Sequence, residues 1–441
     1  MLSTDLIRHV ARTWRQLPSP AWRVRAGLSG GLDSTVLLHV LAGLRPLLGF
    51  ELAACHVRHG LVSGSEIWAD VCRTLCDQLE VPLAVCDVQV DRRHSGGLEA
   101  AAREARRAAL LGFGDDWLAL AHHRDDQAET VLFRALRGTG VRGAGGMRAL
   151  VPGRGAAGLW RPLLDVPRHE LLAYAKARGL AWIEDPSNAD SRFSRNFLRK
   201  DIMPAIEERF PGASAGLARL GRLCDEASIL LDDLAAGDLA ALALPGSARF
   251  RRTAALQLSS SRLRNVMRHL LAGSGEPMPD EDRLRETERQ FRLDDAGAGL
   301  RLPFGRVALC VYRDAWWLET LNVEGAPDCV AWRGESSVGW AGGTVAFGEA
   351  TGEGLAARLI TGQPCELRCR GGGERLRLHA RGSSRTLKNL LQEAGVPPWL
   401  RSHLPLLWIG GRLAWIGGVG VADEFRCPPG EAGVLPVWSC L

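Results

Sequence analysis

Apolar and polar positions change period repeatedly through the first 125 residues. WRVRAGL (Trp22 to Leu28) and ELAACHV (Glu51 to Val57) are apolar runs of strand length. Each leads into a stretch with apolar residues three and four apart, the second through Trp68, Val71 and Leu75. PLAVCDVQV (Pro82 to Val90) and DWLALAHH (Asp116 to His123) repeat the pattern, followed by GLEAAAREARRAALLGF and AETVLFRALRG. Strand then helix at these lengths predicts right-handed crossovers and a parallel sheet with helices on both faces. Ligands of such sheets sit beyond the carboxyl ends of the strands, so the loops after Leu28, Val57, Val90 and Ala121 are the informative ones.

Beyond them, Gly143 to Gly158 is glycine-rich and predicts a mobile surface loop near the site. RPLLDVP then reads as a strand, with a helix entered at Pro167. Ala213 to about Leu244 carries Ala and Leu at helical spacing, and a further helix runs through Leu263, Val266, Met267 and Leu270. Leu300 to Leu321 alternates in the manner of strands, and Asn322 to Pro327 reads as a linker. The remainder has short strands, many glycines and one clear helix, TLKNLLQEAG. The expected fold is therefore an α/β nucleotide-binding domain (1–215), a mainly helical middle domain with a short β region (216–328) and a small α+β C-terminal domain (329–441).

A length of 441 residues gives two or three such domains room for separate cores. No run of about 18 apolar residues occurs, and MLSTDLIRHVARTW lacks the order of a secretion signal, so a cytoplasmic protein with no membrane segment is expected. Eleven cysteines, an odd number, argue against a disulfide framework. The C-x3-C pairs Cys72/Cys76 and Cys365/Cys369 read as ordinary semi-buried thiols rather than metal ligands. The net charge of +5 fits a nucleic-acid partner without requiring one.

Chemistry concentrates in LSGGLDSTVLLHVLA, Leu28 to Ala42. It lacks the lysine of a Walker A loop, and the G-x-G-x-x-G at Gly138, Gly140 and Gly143 follows a helix instead of a strand. A strand end, two glycines that let N–H groups approach an anion, the hydroxyls of Ser29 and Ser34 and a helix N-terminus together favour phosphate. A carboxylate at Asp33 would repel bare phosphate, which points to a bridging magnesium ion. The plainer alternative is a tight βα turn in which Asp33 and Ser34 only cap the helix.

SGGLDS resembles the SGGxDS signature of the PP-loop ATP pyrophosphatases, which split ATP to AMP and pyrophosphate. Within that superfamily, HVRHGLVSGSEIWADVC, LEAAAREARRAAL, AHHRDDQAET, RPLLDVPRHEL and WIEDPSNADSRFSRNFLR resemble the tRNA(Ile)-lysidine synthetases. SSRTLKNLLQEAGVPPWLRSHLPLL resembles that family's terminal domain. Arg58, Val62, Arg107, Phe193 and Thr386 depart from its usual residues. The resemblance implies ATP and Mg2+ as cofactors, with ATP held by Ser29, Gly30, Gly31, Leu32, Asp33, Ser34, His56 and His122. It implies a tRNA(Ile) with a CAU anticodon and free L-lysine as partners; the oligomeric state stays open, a homodimer being one candidate. Asp126 and Glu129, three apart on one helical face, would join Asp33 as catalytic and magnesium-binding carboxylates.

Other assignments stay open between two readings. Asp125 would cap the helix, and His56, His122 and His123 either touch the adenylate or RNA or are structural imidazoles. Arg103 and Arg106 bind RNA phosphate or pyrophosphate, or form a solvated face; Arg192, Arg195 and Arg199 pose the same choice. Lys388 and Arg401 are candidate tRNA contacts. Trp399 is a hydrophobic anchor or a platform for a base, with packing the preferred reading. The rival functions are a tRNA thiolase, which needs reactive cysteines or a cluster, and an RNA-binding protein with a decayed nucleotide site.

Overall fold

The computed structural model describes residues 2–17, 22–58, 65–91, 97–114, 117–153, 157–184, 194–293, 299–321, 325, 327–380 and 382–440. Among the described residues no helix is long and apolar enough to cross a membrane. Contacts divide the chain into two compact units, Met1–Leu230 and Leu231–Leu441.

In the first unit, helix α1 (Leu2–Trp14) precedes β1 (Arg23–Gly27), α2 (Leu32–Leu48), β2 (Glu51–Arg58), α3 (Ser65–Gln78), β3 (Leu83–Asp87), α4 (Gly97–Leu111), β4 (Trp117–Ala119) and α5 (Arg124–Leu136). After α6 (Val141–Ala144), β5 (Leu150–Val151) and β6 (Gly158–Trp160) come α7 (Arg168–Ala177) and α8 (Ser194–Phe197). A single π-helical turn (Leu198–Ile202), α9 (Met203–Arg209) and α10 (Ala213–Leu242) follow. The sheet order is β3-β2-β1-β4-β6-β5, parallel except for β5.

Strand alternation puts apolar side chains on both faces. Trp117 and Ala119 join Val24, Leu37, Leu41 and Tyr174 in one core, while Leu118 joins Cys55, Leu110 and Leu159 on the other face. The predicted parallel sheet is thus covered on both sides. RPLLDVP is apolar and buried at Leu163, Leu164 and Val166, yet it is a series of turns, not a strand. Prolines at both ends of the run restrict it, and the Val166 N–H closes back on the Leu163 carbonyl at 2.8 Å. The glycine-rich segment expected to be mobile includes, in its described part, the end of α6 and strand β5, which pairs with β6.

The second unit continues through β7 (Phe250–Arg251), α11 (Arg252–Ala255), α12 (Ser260–Gly273), α13 (Glu281–Leu293), β8 (Leu300–Phe304), β9 (Val307–Tyr312) and β10 (Ala315–Thr320). Strands β7 to β10 make an antiparallel sheet whose Trp316 is fully buried beside Phe250 and Phe291. Most of the linker expected at 322–327 lies outside the described residues. From Cys329 onward the chain forms further small antiparallel sheets around the predicted helix, here α14 (Leu387–Glu393) apart from a four-residue turn at Ala357–Ile360.

Trp399 resolves to the packing reading. Its ring lies 6.2 Å from that of Trp317 and edge-on to Tyr312, and its indole N–H donates to Glu319 Oε2 at 3.4 Å. Arg401, a candidate tRNA contact, is drawn into the same joint. It donates to the Tyr312 hydroxyl and the Val396 carbonyl, both at 3.0 Å, because the guanidinium fork matches these two acceptors. We expect Trp399→Ala to destabilise the second unit by about 2 kcal/mol, the lower range for a partly exposed tryptophan, with Trp399→Phe milder. Urea unfolding followed by tryptophan fluorescence measures this. An unchanged midpoint would return Trp399 to the surface-platform reading.

Candidate active site

Strand β1 delivers the turn to the end of the sheet, where the Leu28 N–H donates to the Cys55 carbonyl at 2.8 Å. Gly30 has φ +83, and a Cβ there would stand 3.3 Å from both Cys72 Sγ and Ile183 Cδ1. Only glycine suits that backbone without strain. The hydroxyls of Ser29 and Ser34 lie 3.0 Å apart, Ser29 Oγ accepts from the Gly31 N–H, and Ser34 Oγ donates to the Gly31 carbonyl. Gly31 is the N-cap of α2, and no side chain caps that terminus. Asp33 is therefore not a helix cap. The first N–H groups of α2 and the positive end of its dipole stay available to an anion.

Strand β4 leads to a reciprocal cap at the start of α5. Asp126 N–H donates to His123 Nδ1 at 3.3 Å, and His123 N–H donates to Asp126 Oδ2 at 3.1 Å. Asp125 points elsewhere and caps a different helix from the one expected: its Oδ2 accepts from the Arg168 N–H of α7 at 2.9 Å. Glu129, one turn beyond Asp126, is 3% exposed.

Both carboxylates are held by arginines. Arg199 Nη2 donates to Asp126 Oδ1 at 2.6 Å and to Glu129 Oε2 at 2.9 Å, while its Nε donates to Glu129 Oε1 at 2.7 Å. Arg195 Nε stands 3.5 Å from Glu129 Oε2. These two residues, expected on a tRNA-binding stripe, point into the site instead. Four apart, they lie on one side of the helical segment that runs from Ser194 into the π-helical turn at Leu198–Ile202, and both reach the same acidic pair. Arg192, the third member of that stripe, lies outside the described residues.

Asp33 has the opposite surroundings. Its Oδ1 is buried with no hydrogen-bond partner among the described residues; Arg168 Nε stands 3.7 Å from it, and His123 Nε2 is 3.7 Å from Oδ2. Burial raises its pKa above the usual range against the pull of His123 and Arg168. Burial acts in the same sense on Asp126, yet His123, Arg199, His122 and Arg195 hold that carboxyl below the usual range.

Among the described residues no group of three His, Cys, Asp or Glu is placed to hold a metal ion. Of the three carboxylates expected to hold magnesium, Asp126 and Glu129 are paired with Arg199 here. The unpartnered oxygen of Asp33 does suit a hard cation bridging to phosphate.

His56 Nδ1 lies 2.9 Å from the Leu28 carbonyl and 3.5 Å from Cys72 Sγ, so the ring braces the turn from behind. Burial lowers its pKa. It also lowers that of His122 to about 4, and His122 Nδ1 is buried without a partner. Burial pushes the thiols of Cys72 and Cys76 up to about 12 and about 11, so both stay protonated.

The site opens onto one cavity of about 1600 Å³. Ser29, Gly31, Leu32, Asp33, Ser34, His56, His122, Asp126, Glu129, Arg103, Arg106, Arg195 and Arg199 all reach it, whereas Gly30 backs onto Cys72 and Ile183. Arg103 and Arg106 are exposed on α4; Lys388, exposed on α14, and Arg401 belong to the other unit. Sequence reasoning missed Arg134, Arg161 and Arg168, which also line the cavity. Burial, with Arg107, Arg103 and Arg134 nearby, lowers the Arg161 pKa to about 10. The position of Arg161 just after β6, at the carboxyl end of a parallel strand, is the signal that marks it.

Three family models match the chain: a PP-loop domain over residues 3–206, a TilS substrate binding domain over 251–317 and a TilS substrate C-terminal domain over 365–438. A tRNA(Ile)-lysidine synthase of Aromatoleum aromaticum is 48% identical over 96% of this chain and 98% of its own length. Those of an Azoarcus species and of Nitrosomonas europaea are 45% and 35% identical, over 95% and 99% of this chain and 92% and 96% of theirs. With the lysine-free anion cradle and the acidic helix both present in the structure, the chain belongs to the tRNA(Ile)-lysidine synthase family.

Proposed function

We propose that this ligase joins free L-lysine to C2 of the wobble cytidine in the CAU anticodon of a tRNA(Ile), releasing AMP and pyrophosphate and changing codon recognition from AUG to AUA. The observation that carries the reading is the opening of an uncapped helix N-terminus and a buried acidic pair onto one cavity. The N–H groups at the start of α2, with Ser29 and Ser34, hold the pyrophosphate end of ATP as it leaves. Asp33 would hold Mg2+, which when bound supplies positive charge beside the phosphates.

The cytidine C2 oxygen attacks the α-phosphate and pyrophosphate departs; the lysine ε-amine then attacks C2 and AMP leaves. Arg103 and Arg106 are proposed to contact tRNA at the cavity, and Lys388 within a tRNA-recognition domain at 329–441. The domain at 216–328 would lie between that region and the catalytic domain at 1–215 in the chain. We assign the reaction to the cytoplasm. The protonated state of Cys72 and Cys76 disfavours thiolase chemistry at this turn.

Asp33→Asn should lower tRNA-dependent pyrophosphate release by about 100-fold or more, the scale for losing a charge that acts on the reacting phosphates. The same variant should melt no lower than the parent without nucleotide. Because the Asp33 pKa is raised in the fold, its ionised form is disfavoured there at neutral pH, and stability rises as pH falls through the folded-state value. Normal turnover by the variant would contradict the assignment.

His122 predicts the reverse trend. Its folded pKa of about 4 lies below the ordinary value of 6.5, so between these two values the unfolded state binds the extra proton and stability falls as pH falls. Thermal unfolding at stepped pH should show His122→Asn losing less stability than the parent over that interval. Parallel curves would mean the imbalance at this ring is absent.

A further inference from the structure

The segment from Gly138 to Met147 contains five glycines in ten residues, a composition that leaves a free chain with high conformational entropy. Here two side chains of α5 fix it. Gln127, 4% exposed, donates from Nε2 to the carbonyls of Gly145 (3.3 Å) and Met147 (3.0 Å), and its Oε1 accepts from the Met147 N–H at 2.7 Å. Arg134 Nη1 donates to the carbonyls of Gly143 (3.0 Å) and Gly146 (2.6 Å). Space around Gln127 is fully used. Gly146 has φ +66, and a Cβ there would stand 2.7 Å from Gln127 Nε2; one on Gly221 of α10 would stand 3.2 Å from the same atom.

The clamped segment borders the cavity through Thr139, Gly143 and Met147. Gln127 lies in sequence between Asp126 and Glu129 but points to the loop, so one helix carries the acidic pair on one side and holds the cavity edge on the other. At the cavity that edge presents the Thr139 side chain packed over Gly143, and Met147, whose thioether packs well against a flat ring. A nucleobase turned out of a single-stranded RNA loop has that shape and needs a pocket of fixed width.

We propose that Gln127 is a positioning residue for the RNA substrate: it locks the Gly143–Met147 edge to the acidic helix, so that the incoming cytosine meets a preformed wall. The inference rests on the RNA-modifying function proposed above. Without the clamp the edge must be ordered when RNA binds, and the cost falls on that step and not on nucleotide binding.

The test compares the full-length parent with Gln127→Ala and Gly146→Ala, which break the same contact from opposite sides. Three readouts are used: hydrogen exchange at the Met147 amide, binding of a synthetic anticodon stem-loop RNA with a CAU loop, and steady-state pyrophosphate release with ATP and tRNA. Both variants should exchange faster at Met147, bind the stem-loop about tenfold more weakly and raise the KM for tRNA by a similar factor, with the KM for ATP within about twofold. Unchanged exchange, unchanged RNA binding, or equal losses toward ATP and tRNA in both variants would overturn it. Should Gln127→Ala not fold, Gly146→Ala decides alone. A parent that binds the stem-loop but releases no pyrophosphate would refute the proposed reaction, while exchange and RNA binding would still decide the role of Gln127.

Discussion

The reciprocal hydrogen bonds between His123 and Asp126 set the rotation of α5, and the geometry of the cavity follows from that rotation. A one-residue slip would turn the helix by about 100° and send Asp125 into the cavity in place of Asp126. The cap prevents this, and Asp125 is engaged with the α7 terminus through Arg168. With the rotation fixed, Glu129 falls beside Asp126 and Gln127 falls against the glycine-rich segment. The sheet contributes the other half, because β1 and β4 are adjacent parallel strands and end on the same side.

Neighbouring carboxylates are thereby given different tasks. Asp126 and Glu129 are buried with charge-matched, hydrogen-bonded partners, the condition under which buried ions persist. Asp33 keeps an oxygen without a partner, and burial raises its pKa. Environments that push two nearby acids in opposite directions are a feature of sites that handle charge at one and bind or orient at the other. The absence of a lysine in the turn fits the proposed reaction, in which the cradle would hold a departing pyrophosphate through backbone N–H groups and hydroxyls.

Much of this was legible in the residues. Alternation of strand and helix periods gave the parallel sheet, and SGGLDS with the acidic pair three apart located both halves of the cavity. What stayed hidden has physical reasons. A basic stripe looks the same whether it faces water or a buried acid. Glycine content predicts freedom for Gly143 to Gly158, but Gln127 and Arg134, outside the segment, hold its first part from Gly143 to Met147. RPLLDVP carries the apolar content of a strand, and only its flanking prolines hint that it turns. Arg401 reads as a phosphate contact from charge alone, whereas its partners are an aromatic hydroxyl and a carbonyl.

The most direct measurement is mass analysis of the nucleosides in a tRNA(Ile) with a CAU anticodon after incubation with the protein, ATP, magnesium and isotopically labelled lysine. The account predicts a cytidine carrying the labelled lysine at the wobble position, formed together with AMP, and no such product on a tRNA without cytidine there. Conversion of ATP to AMP with no lysine in the RNA, or a sulfur-containing nucleoside in its place, would contradict it.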